Sequence, residues 1–105
     1  MHVTVDLTSA TPAVALVEPD DCRRFDVVVH GPLDPGQLDR ALGAVSVGRT
    51  VGDDAHVRVD AVRRLAAGAV AESWEADVAA MLDYARSRGW LSDDGREIQA
   101  HVEWR

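Results

Sequence analysis

The chain has 105 residues, a formal net charge of −7 and 47% hydrophobic residues. This length fits one domain with its own core, and no apolar run approaches the roughly 18 residues of a membrane span. The acidic charge argues against the basic surface that nucleic-acid binding requires, so neither nucleic acid nor membrane is an expected partner. The lone Cys22 excludes an internal disulfide. With no recognisable secretion signal, this favours a reducing, cytoplasmic location.

The first part of the chain predicts three strands. Apolar and polar residues alternate over residues 2–8, and a turn leads to the apolar run Ala13–Val17, so the two segments form a hairpin. After an acidic break at residues 18–21, the β-branched run Phe25–His30 predicts a central strand.

A helix is predicted to begin after Asp34. Asp34 suits the N-cap, Pro35 suits the first helical position, and Gln37 completes a capping-box pattern. An apolar stripe follows over residues 38–42, and Gly43 is expected to end the helix.

A second hairpin and a short helix come next. Residues 44–51 and 55–59 predict two strands around a turn at residues 52–54. Asp60 is predicted to cap a short helix, which Gly68 ends.

The most regular helical pattern of the chain covers Trp74–Arg88, where apolar residues recur every three to four positions. Ser73 is the expected N-cap. Gly89 suits the left-handed position after the helix, which places Trp90 against the last turn near Tyr84. Residues 97–105 then alternate between apolar and polar, and predict a strand with one buried face. The aromatic residues of this region are interpreted as core rather than as a stacking platform for a ligand.

From Phe25 to Trp104 the predicted order is strand, helix, strand, strand, helix pair, strand. This is the βαββαβ order of the ferredoxin-like fold. The sequence therefore predicts one α+β domain over residues 1–105, with a ferredoxin-like core over residues 25–104 preceded by a β-hairpin, and helices on one face of a mostly antiparallel sheet. Another α+β arrangement of the same layers is the alternative.

The basic residues are all arginine, and Ala, Val, Asp and Gly are abundant, as the codons of a GC-rich genome would give. This usage predicts an actinobacterial source. The C-terminal half, with its short helix at 62–67, Trp74, Met81–Leu91 and His101–Trp104, resembles small actinobacterial proteins of uncharacterised function. The resemblance implies no activity, cofactor or site residue.

One face of the predicted sheet is polar and carries three of the four histidines. Imidazoles beside carboxylates could bind a ligand or a metal, or transfer protons. The candidate ligand or interface residues are His30, His56, Arg58, His101 and Glu103.

No catalytic residue, metal ligand or cofactor is predicted, because the chain lacks a nucleophile–base pair, metal-ligand spacing and a nucleotide motif. Arg23 and Arg24 could lower the pKa of the Cys22 thiol, but no base is paired with it in the sequence.

These observations predict a small non-catalytic binding or accessory protein that acts through protein–protein contacts and is homo-oligomeric, so its partner is itself or another protein. The alternative is a small enzyme or small-molecule binder, with a pocket between the open sheet face and a covering element.

Overall fold

Six strands and three helices make up the chain, and the computed structural model describes all of its residues. The strands are β1 (His2–Asp6), β2 (Ala13–Val17), β3 (Asp26–His30), β4 (Gly48–Val51), β5 (Asp54–Arg58) and β6 (Glu97–Trp104). The helices are α1 (Pro35–Ala44), α2 (Val59–Ala66) and α3 (Trp74–Ser87). The fold class is α+β, as predicted. None of the helices is long and apolar enough to cross a membrane.

All the strands join one sheet in the order β2-β1-β3-β6-β5-β4. The pairs β1–β2, β5–β6 and β4–β5 are antiparallel, whereas β3 runs parallel to both of its neighbours, β1 and β6. The sheet is therefore mixed and mostly antiparallel. The N-terminal hairpin belongs to it, because β1 pairs with β3 of the same chain.

The ferredoxin-like core predicted for residues 25–104 is not confirmed. That fold would place β3 between β5 and β6, but here β6 lies between β3 and β5. The side of β3 that β5 would occupy is taken by β1, whose Val3 and Val5 are completely buried. Along one edge, residues 97–101 of β6 pair with β5, and along the other edge residues 101–104 pair with β3.

The core lies between the sheet and the helices. Alternate strand residues, including Val3, Val27, Val57 and Ile98, form one cluster of 22 buried residues with the inner sides of the helices. Residues opposite one another in the register point to the same face, so the helices cover one face of the sheet, as predicted. Burial of each such side chain is worth about 1.5–3 kcal/mol. A register slip by one residue would exchange these valines for acidic and histidine side chains.

The first helix confirms the predicted N-cap but not the predicted end. The Asp34 carboxylate accepts hydrogen bonds from the backbone N–H groups of Gly36 and Gln37 at 3.1 and 3.2 Å. The helix passes Gly43 and ends at Ala44. The predicted strand at residues 44–51 is therefore wrong in its first part, and β4 begins only at residue 48.

The other two helices differ from prediction at their N-termini. Residue Asp60 lies in the first turn of α2 rather than at its cap, where its carboxylate accepts a bidentate pair of hydrogen bonds from Arg58. The Ser73 side chain caps nothing in α3, because the residue already has helical φ and ψ.

The C-terminus of α3 follows the prediction closely. Gly89 has φ +78°, and its N–H donates to the carbonyl of Arg86 at 3.1 Å. The Trp90 N–H donates to the carbonyl of Ala85 at 2.9 Å. These are the two hydrogen bonds of a Schellman motif, and they turn the chain so that Trp90 folds back towards the helix.

Candidate functional site

The face of the sheet that the helices leave open collects all four histidines of the chain. His30, His56 and His101 lie on this face with the acidic residues of β3, β5 and β6, as predicted. His2 joins them because β1 is part of the same sheet.

One row of this face alternates histidine and aspartate across four neighbouring strands. His2 lies opposite Asp26, Asp26 opposite His101, and His101 opposite Asp54. The His2 Nδ1 atom is 3.5 Å from Asp26 Oδ1. That oxygen is buried without a hydrogen bond, so the contact is an electrostatic approach rather than a well-formed hydrogen bond. Asp54 instead accepts a hydrogen bond of 2.8 Å from the Gln99 amide.

The predicted candidates do not form a single site. His30 lies four residues along β3 from Asp26, which is about 13 Å at the rise of a strand, and so it is remote from His101. His56 lies opposite Gln99 and is a diagonal neighbour of His101, at about 7–8 Å. No group of three or more His, Cys, Asp or Glu residues is placed to hold a metal ion.

The two charged candidates are already engaged in ion pairs. Arg58 holds Asp60 at 2.8 Å, and this hydrogen-bonded pairing lowers the pKa of Asp60. Glu103 receives a hydrogen bond of 3.0 Å from the guanidinium of Arg105. Both charged candidates are therefore paired with a neighbouring side chain.

A cleft opens where β3 and β6 separate. β3 begins at Asp26, opposite His101, so the first residues of β6 have no β3 residue beside them. Residues 90–92 take that place, since Gln99 N–H donates to the Trp90 carbonyl at 2.7 Å and Ser92 N–H to the Glu97 carbonyl at 2.9 Å. The cleft lies between this segment and residues 20–25, against α3.

The cleft has a volume of about 820 Å³ and a mainly apolar lining. Phe25, Met81, Tyr84 and Trp90 are among the apolar residues that line it. Tyr84 and Trp90 meet edge to face, with ring centroids 5.9 Å apart, a favourable geometry for two aromatic rings. The guanidinium of Arg88 lies 5.5 Å from the Trp90 ring, a cation–π contact. The site is thus an aromatic groove that opens to the surface.

Charged residues of both signs, including Asp21, Arg23 and Asp77, also line the cleft. The hydrogen bond from the Arg23 backbone N–H lowers the pKa of Asp21. Burial and the nearby Asp77 raise the pKa of the Cys22 thiol. The expectation that the neighbouring arginines could lower this pKa is therefore wrong. The Cys22 Sγ lies 3.7 Å from the Pro19 carbonyl oxygen.

Sequence reasoning placed Trp90 near Tyr84 but did not find the cleft. Its second wall, residues 20–25, lies more than fifty positions earlier in the chain. Only the strand order brings that wall opposite α3. The feature that identifies the cleft is the exposure of the Tyr84 and Trp90 side chains. This exposure depends on tertiary packing and so could not be predicted from the sequence. The interpretation of all the aromatic residues as core holds for Trp74, which is buried, but not for these two.

A comparison of the chain with family models, with curated proteins and with solved structures found no match. The resemblance to actinobacterial proteins stays a prediction.

Proposed function

We propose that this protein is a small non-catalytic binding protein that acts through protein–protein contacts, and that the cleft beside α3 receives apolar side chains of the partner. The observation that carries this proposal is the exposure of two aromatic rings in one groove. Tyr84 is 59% exposed and Trp90 is 40% exposed. Large apolar side chains gathered in one exposed patch are typical of interaction sites.

The composition of the cleft supports the same proposal. Tyr, Trp, Phe, Met and Arg are the residues enriched at protein interfaces, where an apolar centre is surrounded by a polar rim. Met81, Phe25 and the two exposed rings are the apolar part of the lining, which also includes Asp21 and the 94% exposed side chain of Arg23.

The alternative is a small-molecule binder that uses the same cleft. Its volume of about 820 Å³ lies within the range of about 300–1,000 Å³ typical of ligand pockets. This pocket lies between α3 and residues 20–25, not over the histidine face where the sequence placed it. The five predicted candidate residues stay proposals as ligand or interface residues.

Self-association and a cytoplasmic location also remain proposals. The free, partly buried thiol of Cys22 supports a reducing compartment.

The cleft is tested by titrating ¹⁵N-labelled protein with N-acetyl-tryptophanamide, a probe that presents one aromatic side chain. We expect the largest amide shifts at Ala80, Tyr84 and Gln99, which line the cleft. Trp90→Ala should weaken the probe's binding several-fold, because aromatic contact area is lost. The control is Leu33→Ala, which removes an apolar side chain that is 73% exposed but lies outside the cleft.

Largest shifts at the histidine face, or equal effects of Trp90→Ala and Leu33→Ala, would contradict the proposal. Peptides selected from a random library then separate the two functions. Peptides that compete with the probe and lose binding in the Trp90→Ala variant support a protein partner. If only compounds from a small-molecule fragment set compete with the probe, and no peptide does, the result supports a small-molecule binder.

A further inference from the structure

The two edge strands of the sheet, β4 and β2, differ in how they are protected from pairing with another chain. At the β4 edge, the backbone N–H of Thr50 donates to the Asp39 carboxylate of α1 at 2.9 Å. The Thr50 hydroxyl contacts the same oxygen at 3.2 Å. This edge also carries Arg49, which is paired with Glu97. A capped donor and a charged side chain are the usual means by which proteins keep an edge strand from pairing with another chain.

The β2 edge has none of these devices. Its sequence over Ala13–Val17 is AVALV, with no charge, no proline and no polar side chain. Val17 is 38% exposed, and Ala13 and Ala15 are exposed beside it. An exposed, wholly apolar edge strand is a template for pairing.

The orientation of the backbone shows which groups are unpaired. Leu7 N–H donates to the His30 carbonyl at 2.8 Å, so at the end of β1 the odd-numbered residues direct their backbone groups towards β3. The even-numbered residues of β1 then face β2, and Thr4 lies opposite Ala15. By the same alternation, the N–H and C=O groups of Val14 and Leu16 point away from the sheet.

We propose that two copies of this chain pair antiparallel through their β2 strands, about a two-fold axis at Ala15. In this register Val14 of one copy lies opposite Leu16 of the other, and Ala13 lies opposite Val17. Every outward N–H of Val14 and Leu16 then meets an outward C=O across the axis. The two sheets become one continuous sheet.

A second copy is favoured over an unrelated strand because β2 is complementary to itself. All facing side chains in this register are apolar, and the pair on the axis is alanine with alanine, so no bulky group or charge separates the strands. The same patch contributes from both copies, as a two-fold dimer requires. Glu18 ends the strand with φ +52°, and Pro12 precedes it, so the pairing is limited to these five residues.

This inference deepens the proposed function, because it names the surface and the partner for self-association. Its test does not involve the cleft. Mass in solution is measured by light scattering and sedimentation at protein concentrations from about 1 µM to about 1 mM, a range suited to a small interface. We expect the mass to rise with concentration from that of one chain to that of two.

The variant Ala15→Lys places two like charges directly opposite one another on the axis. We expect it to stay monomeric at concentrations where the natural chain is a dimer. The control is Val51→Lys on β4, which introduces the same charged side chain at a 41% exposed position of the other edge. Both variants lower the net negative charge of −7 equally, so reduced overall repulsion cannot explain a difference between them.

A second variant tests the register. Ala15→Cys is introduced in a Cys22→Ser background, so that each copy carries one thiol. In the proposed dimer the Cα atoms of the two introduced cysteines are about 4.5 Å apart. This distance lies within the range of about 4.4–6.8 Å between the Cα atoms of a disulfide. We expect rapid cross-linking into a covalent dimer under mild oxidation, and at least ten-fold slower cross-linking of Val51→Cys.

A natural chain that stays monomeric throughout, or a dimer that Ala15→Lys and Val51→Lys weaken equally, overturns this proposal. Probe binding in the cleft is measured on the same samples. Its retention in the Ala15→Lys variant separates failure of the dimer from failure of the proposed function.

Discussion

Glu97 and Arg49 form an ion pair that spans β5 on the open face of the sheet. The guanidinium contacts both carboxylate oxygens, at 2.9 and 3.1 Å. This bidentate geometry is the strongest form of such a pair. The hydrogen bonds from Arg49 lower the pKa of Glu97, against an opposing effect of burial, and the same contact raises the pKa of Arg49. The pair therefore stabilises the folded state only while Glu97 is ionised.

The pH dependence of stability follows from the sign of this shift. Because the pKa of Glu97 is lower in the folded state than its ordinary value of 4.5, the unfolded chain takes up the proton first as pH falls. The stabilisation is present above pH 4.5 and is lost as pH falls through the folded-state pKa. We expect Glu97→Gln to be less stable than the natural chain near pH 7, and this difference should shrink only as the pH falls below 4.5.

Urea unfolding at a series of pH values measures this effect. Arg49→Gln should flatten the pH profile in the same way, because it removes the other half of the pair. The effect should be small and should decrease in high salt, since the Arg49 side chain is 56% exposed. A profile for Glu97→Gln that runs parallel to that of the natural chain would show that the pair does not couple to folding.

At the level of single elements, the end of α3 depends on one backbone conformation. The Schellman turn at Gly89 directs Trp90 into the cleft, so the helix end and the proposed binding site are coupled. An added Cβ at Gly89 would meet no atom within 4 Å, which means that any cost of substitution comes from the positive φ alone. Gly43, inside α1, also has free space around an added Cβ, but it has helical backbone angles.

Replacing each of these glycines by alanine should therefore change stability in opposite directions. We expect Gly89→Ala to lower the free energy of unfolding by about 1–2 kcal/mol, the cost of a left-handed conformation for a residue with a Cβ. Gly43→Ala should raise it by about 0.5–1 kcal/mol, because alanine is the better helix former. Urea denaturation of the two variants measures both values. Equal changes of the same sign would contradict the role assigned to Gly89.

At the level of the whole molecule, one core connects nearly all the elements. The cluster of 22 buried residues includes side chains of β1, β3, β5, β6 and all the helices, and Val14 and Leu16 of β2 pack against it. No second core exists that could stay folded by itself, so partial unfolding would expose the shared interior.

We expect the chain to unfold in a single cooperative transition at low protein concentration. Far-ultraviolet circular dichroism reports the helices and strands, and tryptophan fluorescence reports Trp74, Trp90 and Trp104, which lie at separate points of the chain. Both signals should give the same midpoint in urea. An earlier midpoint for fluorescence would indicate that the surroundings of the tryptophans, all of which lie in the C-terminal third of the chain, loosen before the secondary structure is lost.

The local elements could be read from the sequence because their signals are local. Alternation in β1, β2 and β6 predicted the strands and their inner faces, Asp34 predicted the start of α1, and Gly89 predicted the end of α3. These patterns act over a few residues, through hydrogen bonds and side-chain direction that the neighbouring sequence sets. Three of the four histidines could be assigned to one face by this rule alone.

The strand order, and with it both interaction surfaces, depends on tertiary structure. Whether β1 or β5 lies beside β3 is a competition between apolar strands that local patterns do not distinguish. Its outcome adds His2 to the open face, brings residues 20–25 opposite α3 to form the cleft, and leaves β2 at the edge. The sequence by itself determined the elements and their buried sides, because periodicity encodes them. The three-dimensional packing decided which elements meet, because contacts between distant segments depend on the summed burial of the whole core.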